Sequence, residues 1–179
     1  MASSFLTTAG WYDRGELDQG YDVGLVVLAK RTGTKREIGA DTGHFGFCHT
    51  DGLQPYWAPT RLGYPSNYHQ GAQMTQGEHL ERSNGRDFLH GSGMRRGSSG
   101  GPHIVNSGEI SDPATSRGLF TARNGIFAVT SWGYVGESFK AQGASSLSGP
   151  RNANSFQKMF NPACTRARTL HGPGSCALL

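Results

Sequence analysis

At 179 residues the chain has room for one domain with its own core, or for a piece of a larger one. Its 27 glycines and only 17% charged residues suit a turn-rich all-β protein and set a helical bundle aside. The net charge of +4 comes from scattered Lys and Arg without aromatic–basic interleaving, which points away from nucleic acid.

Taken in chain order, Met1–Trp11 has neither a basic n-region nor an apolar h-region, so it does not read as a signal peptide. Residues 11–20 are polar and turn-like. Tyr21-Asp22 then leads into Val23–Ala29, which is the longest continuous apolar run and too short to cross a membrane as a helix. An acidic residue at the mouth of a buried strand needs partners, because a desolvated carboxylate is costly. Asp22 therefore reads either as a turn or strand-end cap or as a working carboxylate.

Residues 31–56 are loop-rich, with short strand candidates near Glu37-Ile38 and at Phe45–Cys48. A strand ending in Gly63-Tyr64-Pro65 follows. Weak alternation over 71–90 makes Ala72, Met74, Leu80, Phe88 and Leu89 the candidate inward positions. His103–Asn106 and Gly118–Thr121 are further strand candidates, and Gly125–Tyr134 is the strongest strand in the chain. Asn152–Phe160 reads as a short helix with Phe156, Met159 and Phe160 on one face and Pro162 beyond its end. Residues 164–179 read as a frayed basic tail. Of the three cysteines, Cys164 and Cys176 could bridge and leave Cys48 free, or all three could stay reduced.

The chemistry concentrates in Gly97-Ser98-Ser99-Gly100-Gly101-Pro102, running into His103-Ile104-Val105. Glycines two before and two after Ser99 let the backbone turn sharply and present its Oγ at the surface. The same turn would aim the N–H groups of Gly97 and Ser99 at one point, where a carbonyl oxygen becomes an oxyanion. As a bare hexapeptide it also reads as an ordinary Gly/Ser/Pro loop. Gly-x-Ser-x-Gly is shared with the nucleophile elbow of α/β-hydrolases, with Asp112 and His171 in the required order, but that elbow opens a helix and a β-like run follows here.

Gly-x-Ser-Gly-Gly-Pro, Tyr-Asp before an apolar strand, Gly-Tyr-Pro and the strand ending in Ser131-Trp132-Gly133 together resemble the trypsin/chymotrypsin-like serine peptidases, in their bacterial glutamyl-endopeptidase-like branch. The resemblance implies an all-β, chymotrypsin-like double β-barrel with its first barrel mostly missing, plus a short C-terminal helix. It divides the chain into a first-barrel remnant and connection (1–56), a second barrel with the nucleophile loop (57–150), a helix (151–163) and a flexible tail (164–179). It implies a serine endopeptidase acting on polypeptides, secreted or periplasmic, with Ser99 as nucleophile, Asp22 as the triad carboxylate and Gly97 and Ser99 as the oxyanion donors. Gly93 and Met94 would form the base of the specificity pocket. Thr130 and Gly133 would form its opposite wall, and the strand ending in Ser131, Trp132 and Gly133 would pair with the substrate as an added strand. No acidic residue stands at the pocket base, so a preference for Arg or Lys is not implied; the threonine and histidine that bind a glutamate side chain in glutamyl endopeptidases are not both matched either, which leaves an uncharged or apolar substrate residue as the expectation. Neither metal nor organic cofactor is implied.

One departure matters. The mechanism needs a histidine base, which in the family precedes the aspartate in an Ala-His-Cys-like context. Only 21 residues precede Asp22, and the seven histidines all follow it. The expectation is a truncated chain lacking its base, or an inactive homologue kept as a binding module. The final Cys176-Ala177-Leu178-Leu179 matches a prenylation box, which needs a eukaryotic cytosol that the bacterial resemblance does not offer.

Overall fold

The computed structural model describes residues 2–14, 20–30, 33, 38–47, 56–57, 59–78, 81–83, 87–105, 107–108, 124–134, 136, 138–147 and 153–176. Among these residues the chain forms β1 (Ala2–Thr7), α1 (Ala9–Arg14), β2 (Gly24–Leu28), α2 (Ile38–Thr42), β3 (Gly46–Phe47), β4 (Tyr56–Trp57) and β5 (Thr60–Gly63). It continues with β6 (Thr75–Glu78), β7 (Glu81–Ser83), β8 (Asp87–Gly91), β9 (Pro102–Val105), β10 (Gly125–Gly133), β11 (Ala141–Ser146) and α3 (Ala153–His171).

Two sheets result. β1 and β2 pair antiparallel as a small ribbon, with Phe5 opposite Val26 and Leu6 opposite Leu25. The rest form a nine-stranded sheet in the order β4-β7-β8-β11-β10-β9-β5-β6, with β3 running parallel to β10 beside this path. The large sheet curls as a half-barrel.

β10 organises it. Its apolar, β-branched run suits a strand buried on both faces, and it pairs with both β9 and β11. The register shifts between Ile126 and Ala128 against β9, and again between Thr130 and Trp132 against β11. The first bulge interrupts the in–out alternation, so Phe127 and Ala128 are both fully buried. They join Phe88, Val105 and Ala144 in one core, where the Phe88 and Phe127 rings meet edge-on at 5.1 Å.

α3 builds the second core. Phe156, Met159, Phe160, Ala163 and Cys164 recur with helical spacing and are all buried. They pack with Val23 and Leu147 and against Leu6, Leu25, Ile126 and Val129, so the helix joins the ribbon to the large sheet. At its C-terminal end His171 Nε2 donates to Leu28 O at 2.7 Å, and the Arg168 guanidinium donates to Cys176 O. A Cys164–Cys176 disulfide closes the same end.

Several expectations are corrected here. Residues 11–14 belong to α1 rather than to a polar turn, and Ile38 opens α2 rather than a strand. α3 runs through Pro162 to His171 instead of ending before it, because its apolar face and the Cys164–Cys176 bridge hold the final turns in place of a frayed tail. Of the inward candidates over 71–90, Phe88 is buried, whereas Ala72, Met74 and Leu89 are exposed. Leu80, the Gly118–Thr121 strand candidate and Cys48 lie outside the described residues.

Candidate functional site

The turn between β8 and β9 carries Ser99, and its shape follows from two glycines. Gly97 sits at φ +92°, and a Cβ there would press on Tyr64 O. A Cβ on Gly101 would run into Leu62 O, so this position admits only hydrogen. Between them Ser98 is 2% exposed. Its Oγ donates to Arg95 O at 2.7 Å and accepts from Gln142 Nε2 at 3.1 Å. Gly100 N donates to Thr130 O at 2.8 Å, and Thr130 N donates back to Gly101 O at 2.9 Å, fastening the turn to β10.

This anchoring leaves a specific pattern of amides. The N–H groups of Ser98, Gly100 and Gly101 are committed, to Arg95 O, Thr130 O and Ser98 O. Those of Gly97 and Ser99 donate to no described residue, and the Ser99 side chain is exposed beside them.

Asp22 reaches the same region from the ribbon. Thr8, buried at the end of β1, donates its hydroxyl to Tyr21 O at 2.6 Å and accepts from Trp11 N at 3.2 Å. It thus caps α1 and fixes the backbone next to Asp22 with one side chain. Ser131 Oγ then donates to Asp22 Oδ2 at 2.7 Å. Ser131 is the residue at which β10 slips register against β11, and such a bulge re-aims a side chain away from the regular pleat.

A cavity of about 460 Å³ opens beside Ser99. Met94, Thr130, Ser131, Trp132, Gly133 and Gln142 form part of its lining. Gly93 does not line it: its carbonyl accepts from Asn67 Nδ2, and the neighbouring Ser92 lines the cavity instead. A larger cavity of about 1020 Å³ lies between β2, α2 and α3, with Val26, Leu28, Ile38 and Phe160 in its walls, and holds none of the expected site residues.

Behind the smaller cavity is a polar cluster with no local sequence signature. Gln142 Oε1 accepts from Ser92 Oγ at 2.7 Å and from the buried Arg61 Nη1 at 3.2 Å. His103, fully buried, places Nε2 2.9 Å from Thr130 Oγ1 and its ring edge-on to His90 at 5.0 Å. Burial, reinforced by the nearby Arg61 charge, lowers the His103 pKa to about 3, so the ring is neutral.

Among the described residues no histidine hydrogen-bonds Asp22 or Ser99. His103 turns to Thr130, and His171 is held on Leu28 O. His49 and His79 lie outside the described residues. No three His, Cys, Asp or Glu side chains converge as a metal site among the described residues, and no described helix is long and apolar enough to cross a membrane.

No protein-family model matches the chain, and neither does any curated protein. Solved structures do. The protease Anisep from Arthrobacter nicotinovorans superposes with a TM-score of 0.63 at 17% identity over 90% of this chain. Its fold is that of the chymotrypsin-like serine proteases. The thermostable serine protease AL20 from an extremophilic microorganism gives a TM-score of 0.64 at 19% identity over 89% of the chain. A Glu endopeptidase gives 0.55 at 16% over 90%. The chain spans 65% of Anisep, 67% of AL20 and 62% of the Glu endopeptidase.

Proposed function

We propose that this chain carries the nucleophile and oxyanion half of a serine-type peptide-bond hydrolase, with Ser99 as the attacking group. The observation that carries this reading is the pair of uncommitted N–H groups, Gly97 and Ser99, flanking an exposed serine hydroxyl in a turn where the amides of Ser98, Gly100 and Gly101 are engaged. On this reading Ser99 Oγ adds to a substrate carbonyl carbon, and the two amides hold the resulting oxyanion. The C–N bond then breaks, the amine leaves with the proton taken from Ser99, and water hydrolyses the acyl-enzyme. Asp22, oriented by Ser131, would steady the imidazolium that forms when a histidine takes that proton. Residues 57–150 then supply the barrel that carries Ser99 and residues 1–56 the segment that brings Asp22 to it. Secretion or a periplasmic setting goes with the same reading.

A second reading, a polypeptide-binding module with this fold, is favoured by the absence of a histidine at Asp22 among the described residues. Labelling with a fluorophosphonate probe separates the two. The hydrolase reading expects slow labelling confined to Ser99, accelerated by added imidazole and abolished in Ser99→Ala. Labelling that survives Ser99→Ala would overturn it, and no labelling alongside retained peptide binding would leave the binding module.

A further inference from the structure

We propose that Gln142 is a positioning residue for the Ser99 turn, acting through Ser98. The inference rests on the reading of Ser99 as a nucleophile and names the side chain that keeps its two oxyanion donors in place.

Gln142 stands on a firm base. β11 lies between β8 and β10, so its backbone pairs with His90 on one side and Gly133 on the other. Arg61 is held likewise on β5, between Gly77 of β6 and His103 of β9. The two side chains are both buried, and Arg61 Nη1 donates to Gln142 Oε1 at 3.2 Å. Ser92 Oγ donates to the same oxygen at 2.7 Å. A guanidinium carries donors only, so it decides which end of the Gln142 amide faces it. Nε2 is thereby turned to Ser98 and donates to its Oγ at 3.1 Å.

From there the direction of each bond is set. Ser98 Oγ has a single proton and gives it to Arg95 O at 2.7 Å. Ser92 Oγ has given its proton to Gln142 and accepts from Met94 N at 3.1 Å. One amide group thus holds both ends of the segment 92–98. The closure from Ser98 Oγ to Arg95 O spans the peptide that carries the Gly97 N–H. Ser98 itself begins the peptide that carries the Ser99 N–H, so a change in its rotamer would move both donors. Thr130 fastens the turn after Ser99, through Gly100 and Gly101, and Gln142 fastens it before. Reversing any one link would leave a buried donor or acceptor without a partner, which is what makes the chain from Arg61 to Arg95 O stiff.

The experiment is fluorophosphonate labelling of the full chain, with imidazole present, in Gln142→Glu, Ser98→Ala and the double variant. Gln142→Glu keeps the shape and gives Arg61 a charged acceptor, but the ionised carboxylate has no proton for Ser98 Oγ. Its urea midpoint should change little while Ser99 labels about tenfold more slowly, the scale of one lost hydrogen bond. Gln142→Met, an uncharged chain of the same length, should slow labelling to the same extent. Ser98→Ala should also slow it about tenfold, and the double variant should be no slower than Ser98→Ala alone, because both side chains act along one path. Labelling at the parental rate in both Gln142 variants overturns the positioning role and leaves Ser99 as the nucleophile. So does a slowing that adds in full to that of Ser98→Ala, or one that tracks a fall in the midpoint. A parental chain that is not labelled at Ser99 overturns the nucleophile and the positioning role together.

Discussion

Ser131 Oγ and Asp22 Oδ2 lie 2.7 Å apart, joining β10 of the large sheet to the segment that follows the β1-side helix. Ser131→Ala leaves a partly buried carboxylate without this donor. A loss of about 1–2 kcal/mol is expected, as for other hydrogen bonds to charged groups. Urea denaturation measures it, and an unchanged midpoint would show that water replaces the hydroxyl in full.

Thr8 tests the other support of Asp22. Thr8→Val keeps the shape but removes both the cap on Trp11 N and the bond to Tyr21 O. About 1–2 kcal/mol of stability should be lost. Thr8→Ser should restore most of it, which distinguishes the hydroxyl from simple packing.

At Gly97 the backbone is in the left-handed region and Tyr64 O stands where a Cβ would go. Gly97→Ala is therefore expected to cost about 1–3 kcal/mol and to slow fluorophosphonate labelling of Ser99 well beyond tenfold. Labelling at the parental rate would mean that the turn does not present the oxyanion donors as drawn.

The pH dependence has a definite sign. His103 has its folded pKa lowered from 6.5 to about 3 by burial and then by Arg61. The unfolded chain therefore binds a proton that the folded chain refuses between those values. The stabilising contribution is complete above about pH 6.5 and declines as pH falls toward 3, with a slope of about 1.4 kcal/mol per pH unit in the middle of the range. His103→Gln should flatten the pH 6.5–5 limb of the stability curve, as followed by urea midpoints. An identical slope in the variant would place His103 in contact with water.

Much of the site could be read from the chain because its signals are local. Gly97 and Gly101 are needed by the turn itself, and the apolar run of β10 is a strand in any context. Asp22 drew notice because a carboxylate beside Val23–Ala29 requires a partner, and Ser131 is a partner it finds. The remainder depends on pairings distant in sequence. Arg61, Ser92 and Gln142 are ordinary polar residues until β5, β8 and β11 bring them together. α1 was hidden because its six residues bury no side chain and so carry no periodic signal. Pro162 was an end signal overridden by Ala163 and Cys164, which are buried after it.

The joining role of α3 has a consequence for how the two halves of the site come apart. Ser99 rests on the nine-stranded sheet, whereas Asp22 is supported by a two-stranded ribbon that could not persist unaided in water. Opening of the Cys164–Cys176 end would release the His171–Leu28 contact first. The ribbon would then detach as a low-energy cooperative unit while the nucleophile turn kept its shape. Hydrogen exchange would register two populations, and reductant would convert a protein with both carboxylate and serine in place into one that presents the serine alone.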